Sequence, residues 1–551
     1  MTIDGRMVVV SNRLPITIEH SVDGSPRLDA SSGGLVTALR PLLSDCAGLW
    51  IGWTGTDESP EIGQLLAEYS RQNPFELKPI FMSPDERSRF YRGFSNEVLW
   101  PLFHDLQSRC NFDPTYWDTY LAVNRRFAEK VASEVRSGDL IWVHDYHLMS
   151  VGADLRDLGI REHLAYFHHI PFPSPDIFEK LPWRQEILTA LLDFDALGFQ
   201  TLRDRRNFVA CLRKFVKEAD IKNQGEHLIA DEPRRSTFIG AFPVGINFNE
   251  FAQGAAQADV AARAEEIANS FTDCRIVLGV DRLDYTKGIP ERLAAFRHLL
   301  ESYPDLCRKI TLIQVVVPSR EEIPKYGELK AEIQRAVSEI NGRYGDPGWM
   351  PIHYIHRSLD RPELLAYYRA AHIALVTPLK DGMNLVAKEY CATRVNNDGV
   401  LILSEFAGSA FQLQGGALLV NPYHTRAVAE AIRIAFSMSA AEQRRSIRKA
   451  RARIRREDIF RWRDSFCAYP RATFDSRRTP VSHTHKKAHS KGAIAFHEKY
   501  GRSQVRLFFS RNKLFAPARV AAVAMLPFAL SRSDSFARCR LGVLGSAGAA
   551  I

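Results

Sequence analysis

Two cationic side chains follow one of the apolar runs of this 551-residue chain, and their spacing suggests phosphate chemistry. In VLGVDRLDYTKG, Arg282 and Lys287 lie five residues apart on a strand-to-helix turn. Arginine offers paired hydrogen-bond donors and lysine a compact point charge, so together they could neutralise a diphosphate. The pair predicts a binding site for a phosphorylated ligand.

A second junction of this kind is LVTPLKDGMNLVAKEY, residues 375–390, where an apolar strand gives way to a helix. Asn384 is placed to cap that helix, which would leave the first amides, those of Leu385 and Val386, pointing at an anion. Asp381, at the strand end, could accept hydrogen bonds from hexose hydroxyls. The segment therefore predicts a phosphate site beside a sugar site.

Two further features extend the predicted ligand site. Glu389 lies on the same helix face as Leu385, one turn later, where a carboxylate could accept from both hydroxyls of a ribose. The alternative for Glu389 is a surface ion pair with a nearby Lys or Arg. In SSGGLVTALR, Gly33 and Gly34 precede a helix, so backbone amides could approach a ligand there. An ordinary capped turn would have the same sequence.

Histidine and aromatic side chains cluster in three other segments. In HDYHL, Asp145 is best interpreted as a strand-end carboxylate beside a sugar hydroxyl, and in FHHIPFP the prolines stiffen the loop that carries His169. His144, Asp145 and His147 could also be metal ligands, but no third cluster has ligand spacing and the cysteines are scattered, so we expect no metal and no cofactor. In FYRGFSNEVLWP, Tyr91 and Trp100 suit either sugar stacking or core packing.

These side chains follow apolar runs that read as strands buried on both faces. The runs are 7–12, 140–146, 164–170, 196–201, 275–280, 310–317, 372–378, 400–406 and 417–422. Helical patterns alternate with them, which predicts two doubly wound parallel-sheet domains, 1–245 and 246–470, joined near residues 242–251. Functional residues of such sheets lie at the carboxyl ends of the strands, where Arg13 and Arg320 are also found.

The charge of the chain is concentrated at its C-terminus. Residues 471–551 carry 15 Lys and Arg against three Asp and Glu, and the remainder is slightly acidic. We expect this basic tail to be poorly ordered, and we expect no nucleic-acid partner. The longest apolar run near the end, residues 520–530, is too short to cross a bilayer. Without a signal peptide or disulfide pattern, a cytoplasmic location is predicted.

Taken in order and spacing, the motifs resemble a known family. VVVSNRLP, SSGGL, GWTG, FSNEVLWPLFH, WVHDYHL, HIPFP, LGFQT, DRLDYTKGI, INGRYG, VTPLKDGMNLVAKEY and SEFAGS are similar to the trehalose-6-phosphate synthases, retaining glycosyltransferases with the GT-B fold of two Rossmann-like domains. The resemblance covers residues 7–466. It implies transfer of glucose from UDP-glucose to glucose 6-phosphate, without a metal, by an enzyme that is a dimer or tetramer.

The resemblance also assigns roles to individual residues. The implied donor-binding residues are Gly33, Gly34, Arg282, Lys287, Leu359, Asp381, Met383, Asn384, Leu385, Val386, Ala387, Lys388 and Glu389. The implied acceptor-binding residues are Arg13, Trp53, Tyr91, Trp100, Asp145 and Arg320. The implied catalytic residues are Arg282, Lys287, Asp381, His169 and Asp145. Two phosphorylated ligands need two cationic sites, and Arg13 with Arg320 supplies the second.

One departure from the family pattern concerns the nucleotide. Leu359, in HRSLDR, stands where an aromatic residue is expected near the base, which leaves the choice among UDP-, ADP- and GDP-glucose open. Two alternatives to the synthase are a non-catalytic sugar-phosphate sensor and a related GT-B transferase with another donor. Both predict loss of cationic site residues, and Arg13, Arg282, Lys287 and Arg320 are present.

Overall fold

The structure is a computed structural model that describes residues 5–20, 26–30, 34–46, 48–224, 227–232, 235–271, 273–321 and 323–478. Within these ranges the chain forms two large sheets and one small hairpin. The strands are β1 (Met7–Arg13), β2 (Ile16–His20), β3 (Pro26–Ala30), β4 (Leu49–Trp53), β5 (Glu76–Ile80), β6 (Leu140–His144), β7 (His163–His168), β8 (Ala196–Phe199), β9 (Asp220–Gln224), β10 (His227–Glu232), β11 (Arg235–Ala241), β12 (Arg275–Arg282), β13 (Ile310–Val317), β14 (Ile352–Ile355), β15 (Ile373–Val376), β16 (Val400–Ser404) and β17 (Ala417–Val420).

The two large sheets use separate parts of the chain. Among the described residues, the first sheet has nine strands in the order β5-β4-β1-β6-β7-β8-β11-β10-β9, and the second has six in the order β14-β13-β12-β15-β16-β17. Every pairing in the second sheet is parallel. The first sheet is parallel up to β11, and β10 and β9 then add an antiparallel edge. The fold class predicted from the sequence is confirmed, and this edge is a difference from it.

Helices connect the strands. They are α1 (Gly34–Cys46), α2 (Pro60–Gln72), α3 (Pro84–Glu86), α4 (Trp100–Phe103), α5 (Pro114–Glu134), α6 (Val151–Asp157), α7 (Pro175–Phe178), α8 (Arg184–Leu191), α9 (Leu202–Phe215), α10 (Phe248–Ala256), α11 (Ala258–Asn269), α12 (Ile289–Ser302), α13 (Pro324–Tyr344), α14 (Arg361–Ala370), α15 (Leu385–Thr393), α16 (Ala410–Leu413), α17 (Thr425–Ser437), α18 (Ala440–Arg456) and α19 (Ile459–Arg478). Short 3-10 turns lie at Gln107–Arg109, Tyr146–Leu148, Tyr285–Lys287 and Pro304–Leu306. None of the helices in the described ranges combines the length and apolar character needed to cross a membrane.

One helical segment departs from α geometry. Arg87–Leu99 is a π-helix, and the amide of Trp100 at its end donates to the carbonyl of Ser95, five residues earlier. Such segments are rare and frequently lie at functional sites. This one carries Tyr91 and leads into Trp100, which are both predicted acceptor residues.

The continuous apolar character of the strands has a simple cause. In β1, Val8 and Val10 belong to one buried cluster while Met7 and Val9 belong to another, because successive side chains point to opposite faces of a sheet. Both faces are covered, so most positions are apolar, and polar side chains inside the strands, such as Thr311 and Gln314 of β13, are hydrogen-bonded.

The last helix, α19, packs against the first sheet although it follows the strands of the second sheet in the chain. Residues 242–247 link β11 to α10, and the amide of Ile459, at the start of α19, donates to Ile246 O at 3.2 Å. Trp462 then packs on Trp142, with ring centroids 4.9 Å apart. Helix α19 includes residues 471–478 of the predicted tail, and residues 479–551 lie outside the described part. The division into two domains at residue 245 remains a prediction.

Candidate active site

Six polar side chains stand at or just beyond the carboxyl ends of parallel strands, three in each large sheet. In the first sheet they follow β1, β6 and β7, and in the second β12, β13 and β15. They are Arg13, Asp145, His169, Arg282, Arg320 and Asp381. Contacts between the two sets bring the strand ends of both sheets together at one site, as expected for this class of fold.

Tyr91, on the π-helix, interacts electrostatically with guanidinium groups from both sheets. Burial would raise the pKa of its phenol, but Arg320, Arg13 and Arg282 together hold that pKa below its ordinary value. The Arg13 guanidinium lies over the Trp53 ring, 4.6 Å from the centroid, and the rings of Trp53 and Tyr91 are 5.8 Å apart. The structure thus brings most of the predicted acceptor residues together, and Arg282 joins them.

Arg320 is buried and held by aromatic and acidic neighbours. Its side chain is 8% exposed, and Nη1 donates to the Tyr326 hydroxyl at 2.9 Å and lies 3.5 Å from Asp284 Oδ2. The guanidinium carbon is 4.5 Å from the centroid of the Trp100 ring. Burial lowers the pKa of Arg320, but the tyrosines around it and Asp284 raise it well above the ordinary value. Its Nε is buried with no hydrogen-bond partner in the described part of the chain.

Asp284 is a site residue that reasoning from the sequence did not single out. Its carboxylate is almost completely buried and accepts from Trp100 Nε1 at 3.4 Å and from the Thr286 amide at 3.0 Å. Burial would raise the pKa of Asp284, but Arg320 and Arg282 bring it below its usual value. The available signal was an acid two residues after Arg282 in DRLDYTKG. Asp284 joins Trp100, the first residue of α4, to Arg320, which lies just beyond the end of β13.

Asp145 has a backbone conformation that residues other than glycine rarely adopt. Its φ is 73° and its ψ is 167°. Its amide donates to Phe167 O at 2.8 Å, and its Oδ1 accepts from the His169 amide at 3.2 Å. Burial raises the pKa of Asp145 to about 7, although backbone amides favour the charged form. Near neutral pH this carboxyl group can therefore either accept a hydrogen bond from a sugar hydroxyl or donate one.

On the other side of the site, Lys287 and Asp381 form an ion pair. Lys287 Nζ lies 2.5 Å from Asp381 Oδ2, and each side chain is 13% exposed. Asn384 Nδ2 donates to the same oxygen at 3.2 Å. Burial would raise the pKa of Asp381, but the Lys287 ammonium brings it below its ordinary value. The Arg282 side chain is exposed and has no hydrogen bond or ion pair with another described residue, although its charge acts on Tyr91 and Asp284, so its guanidinium is available to an anion.

The segment after β15 lies directly against the loop after β7. A Cβ on Gly382 would lie 2.1 Å from the His169 carbonyl oxygen, so no side chain fits at that position. Met383 Sδ is 3.2 Å from His169 Nδ1, which links this segment to the first sheet. Burial lowers the pKa of His169 well below its ordinary value, so its imidazole is neutral.

Helix α15 begins as the sequence predicts. Asn384 is its N-cap, and Oδ1 of Asn384 accepts from the Ala387 amide at 3.2 Å. The amides of Leu385 and Val386 lie in the first turn, where the helix itself offers them no acceptor. The partial positive charge of this helix end and the Lys287 ammonium are thus both close to Asp381.

Lys388 and Glu389 differ in what holds them. The prediction groups Lys388 with the donor residues, but its buried ammonium donates to Val244 O, in the linker, and to Gln412 Oε1, in α16, at 2.6 Å. Its amino group is therefore engaged on the linker side of α15. Glu389 Oε2 accepts from the Tyr368 hydroxyl at 2.9 Å, and burial raises the pKa of Glu389. Its observed partner is a phenol, so the alternative of a surface ion pair does not hold.

The remaining predicted residues lie at the edges of the described site. Gly34 is the first residue of α1, and Gly33 lies outside the described residues. Leu359 follows β14 and is partly buried against apolar side chains. In the described ranges, no group of three or more His, Cys, Asp and Glu side chains is arranged to hold a metal ion.

Fold and site together define a class of protein. It has two parallel α/β sheets whose strand ends meet at a cationic site, with aromatic rings and carboxylates beside the cations. This combination suits anionic, hydroxyl-rich ligands. A family model described as glycosyltransferase family 20 matches residues 5–470. The chain belongs to this family.

Similar proteins have names that agree with this assignment. The chain is 42% identical over 468 residues to a trehalose-6-phosphate synthase from Mycobacterium sp. (strain JLS), covering 84% of this chain and 95% of that protein. It is 39% identical over 473 residues to an alpha,alpha-trehalose-phosphate synthase [UDP-forming] from Candida albicans, covering 84% and 97% of the two chains.

Two solved structures share the fold. One is an alpha,alpha-trehalose-phosphate synthase (UDP-forming) from Burkholderia xenovorans in complex with glucose-6-phosphate; it has a TM-score of 0.77 and 32% identity, over 85% of this chain and 100% of that one. The other is an E. coli structure bound with UDP-2-fluoro glucose; it has a TM-score of 0.75 and 34% identity, over 85% and 99% of the two chains.

Proposed function

We propose that this protein transfers glucose from UDP-glucose to glucose 6-phosphate with retention, forming α,α-trehalose 6-phosphate and UDP. The observation that carries the proposal is the set of cations at the strand ends: Arg13 lies over Trp53, Arg320 lies over Trp100, Arg282 is exposed at the end of β12, and Lys287 pairs with Asp381. Four cations and two firmly ionised carboxylates, Asp284 and Asp381, leave an excess of positive charge that two phosphorylated substrates would neutralise. The names of the similar proteins and the ligands of the two solved structures agree with this.

We assign the phosphate of the acceptor to the site formed by Arg13, Arg320 and Tyr91. Arg13, Tyr91 and Arg320 would contact it, and the unpartnered Nε of Arg320 supplies a donor that no described residue uses. Trp53 and Trp100 would pack beside the sugar ring, where an aromatic face suits a pyranose. Asp145 would hydrogen-bond a sugar hydroxyl, and its raised pKa lets it do so in either direction.

We assign the donor to the segments around α15 and β12. The diphosphate would lie between Arg282, Lys287 and the amides of the first turn of α15. Glu389, oriented by Tyr368, would accept from the ribose hydroxyls. Asp381 would contact the donor glucose, with His169 beside it. Leu359, Gly33 and Gly34 complete the proposed donor set.

The proposed reaction proceeds without a covalent enzyme intermediate. Asp381 and Asp284 are held by cationic partners, and Asp145 is hydrogen-bonded to the backbone, so none is presented as a nucleophile. As the glycosidic bond to the diphosphate breaks, the negative charge that develops there is stabilised by Arg282 and Lys287. The acceptor hydroxyl attacks from the same face and passes its proton to the leaving phosphate oxygen. Catalysis then comes from positioning and charge stabilisation.

The proposal is tested by incubating the full chain with UDP-glucose and glucose 6-phosphate in the presence of a chelator. We expect equimolar UDP and trehalose 6-phosphate, with an α,α linkage by NMR. ADP- and GDP-glucose in parallel measure nucleotide preference at Leu359. Binding of glucose 6-phosphate without turnover of any of the three donors would contradict the proposal and favour a sugar-phosphate sensor.

We further propose that the enzyme is a cytoplasmic homo-oligomer, a dimer or tetramer, with an acceptor-side domain at 1–245 and a nucleotide-sugar domain at 246–470. Cys110, Cys211, Cys274, Cys307 and Cys391 are free thiols, in keeping with a reducing compartment. The strands of the first sheet end at Ala241 and those of the second begin at Arg275, in keeping with the division. Light scattering on the purified chain tests the oligomer, and a monomer would refute it.

A further inference from the structure

We propose that His144 is a positioning residue that holds the His169 ring with its proton on Nδ1, so that a hydrogen-bond donor faces the donor glucose. The inference rests on the proposed function, because it concerns the side of His169 that would meet the substrate. It follows from the hydrogen bonds around two buried rings and from what a thioether can and cannot do.

The two imidazoles are directly bonded. His144, the last residue of β6, has no exposed surface, and its Nδ1 lies 3.0 Å from His169 Nε2. The opposite nitrogen of His169, Nδ1, lies 3.2 Å from Met383 Sδ. A thioether carries lone pairs and no hydrogen, so it can only accept. The geometry therefore favours a proton on His169 Nδ1, a bare Nε2, and donation from His144 Nδ1 to that Nε2.

The surroundings of His144 agree with this assignment. Its Nε2 is buried without a hydrogen-bond partner in the described ranges, and its ring lies 4.7 Å from that of Trp142 and 6.5 Å from that of Trp462. Burial lowers the pKa of His144 to about 3 and that of His169 well below its usual value, so each ring carries one proton. In the reverse assignment His169 Nε2 would donate to His144 Nδ1, and the proton of His144 would lie on its buried Nε2 without a partner. The unprotonated Nδ1 of His169 would then face the Met383 sulfur, which has no proton to donate.

The consequence lies in substrate discrimination. Met383 belongs to the segment between Asp381 and α15 that we assign to the donor sugar. If a hydroxyl of the donor sugar takes the place of the Met383 sulfur at His169 Nδ1, it meets an N–H group that is already oriented. That hydroxyl must then accept the hydrogen bond. A site built to hydrogen-bond a substrate hydroxyl strongly rejects an analogue that lacks it. His144 would enforce this selectivity without touching the substrate.

Two substitutions separate positioning from packing. His144→Leu removes the partner of His169 Nε2, whereas His144→Asn retains an amide donor near the position of Nδ1. His168→Leu is the matched control, because His168 has no exposed surface either but bonds the Tyr166 hydroxyl at 3.0 Å. Melting temperatures identify variants that fold.

Kinetics are measured with UDP-glucose and with UDP-sugars that lack one hydroxyl at position 2, 3, 4 or 6. We expect His144→Leu to lower kcat/KM for UDP-glucose about tenfold, leaving the KM for glucose 6-phosphate unchanged. In the wild type, one deoxy donor should have a lower kcat/KM than UDP-glucose. This difference should disappear in His144→Leu and remain in His144→Asn and His168→Leu. The inference would be overturned if a folded His144→Leu still discriminated against every deoxy donor as the wild type does. It would also be overturned if His144→Asn were as impaired as His144→Leu.

A second measurement does not depend on turnover. In protein labelled with 15N-histidine, the nitrogen shifts of His169 distinguish the protonated from the bare ring nitrogen. We expect a proton on Nδ1 in the ligand-free wild type and a mixture of tautomers in His144→Leu. A wild-type proton on Nε2 would refute the inference even if the enzyme makes trehalose 6-phosphate. An inactive wild type with the expected tautomer would refute only the proposed function.

Discussion

At the scale of single residues, Arg282 and Arg320 show how one side-chain type can be held in two ways. Arg320 is buried among Trp100, Tyr326 and Asp284, whereas the Arg282 side chain is exposed and has no hydrogen bond or ion pair within the described chain. Removing Arg320 takes the main cation from the buried Asp284 carboxylate, while removing Arg282 takes only an exposed charge that acts on Asp284 and Tyr91 more weakly. The two substitutions should therefore differ in their effect on stability as well as on catalysis.

For Arg282→Ala we expect kcat to fall by about a hundredfold to a thousandfold, because charge on the departing diphosphate grows as the bond breaks. The free energy of unfolding should stay within about 0.5 kcal/mol of the wild type, since the exposed side chain has no hydrogen bond or ion pair within the described chain. Steady-state kinetics and urea titration measure both. A wild-type kcat would remove Arg282 from the reaction.

For Arg320→Ala we expect the KM for glucose 6-phosphate to rise by about tenfold to a hundredfold, as a charge-assisted phosphate contact is lost. The melting temperature should also fall, because Asp284 is left buried without its main cation. Arg343→Ala is the control, since Arg343 is also in the second-sheet half but is 66% exposed and forms a surface ion pair with Glu301. An unchanged KM in Arg320→Ala would exclude it from the acceptor site.

The sequence predicted the strand-end side chains because a polar residue after an apolar run is a local signal. Asp284 and the bond between His144 and His169 could not be found in that way. Asp284 acquires its role from Trp100, 184 positions away in the chain, and the two histidines meet only because β6 and β7 are neighbours. Residue types gave the chemistry, but partners brought together by tertiary packing set the charge and orientation of each group.

At the scale of elements, helix α15 connects the proposed nucleotide site to the linker between the sheets. Its first turn offers free amides, and one turn later the Lys388 ammonium bonds to Val244 O in the linker and to Gln412 in α16. Gln412 in turn donates to Glu457 Oε2 at 2.8 Å, near the start of α19. The helix that would hold the diphosphate is thus fastened to the two segments by which the chain passes between the halves.

This buried ammonium should be visible in the pH dependence of stability. Burial lowers the pKa of Lys388 from 10.5 to about 7. Between those values the unfolded chain binds a proton there that the folded chain lacks, so this group makes the free energy of unfolding rise with pH.

We expect the unfolding free energy of the wild type minus that of Lys388→Met to increase by on the order of 1 kcal/mol per pH unit from about pH 7 to 10. Urea titrations at several pH values measure it. Lys449→Met, at an exposed lysine of α18, is the matched control. A flat difference for Lys388→Met would mean that this lysine titrates normally in the folded protein.

The elements themselves were predictable where burial is complete. The runs at 140–146 and 310–317 match β6 and β13 closely because both faces of these strands are covered. The antiparallel edge was missed because its strands are polar: β9 reads DIKNQ and β10 reads HLIADE. Edge strands need only partial burial, so they leave a weaker apolar pattern.

At the scale of the whole molecule, the two halves also touch beside the site. Lys380 Nζ lies 2.5 Å from Asp105 Oδ2, and Lys325 Nζ donates to Arg109 O at 2.6 Å. Neither contact involves a residue that we assign to a substrate. They hold the strand ends of the two sheets near one another without relying on the cationic side chains that the ligands would occupy.

Removal of residues 481–551 should leave the synthase intact. The family match ends at residue 470, and 468 residues of this chain span 95% of the Mycobacterium relative. We expect the truncated chain to keep wild-type kcat, KM and melting temperature. A truncated protein that is inactive or unstable would show that the basic tail contributes to the fold.

The π-helix Arg87–Leu99 has a consequence for which changes the enzyme can tolerate. An α-helix turns once in about 3.6 residues, so the nine positions from Tyr91 to Trp100 would span about two and a half turns and place the two rings on opposite sides. With bonds five residues apart, as from Trp100 to Ser95, the same nine positions make about two turns and place both rings on one side. Insertion or deletion of a single residue here would rotate one ring out of the site, so the length of this segment is constrained more strictly than most of its residue types.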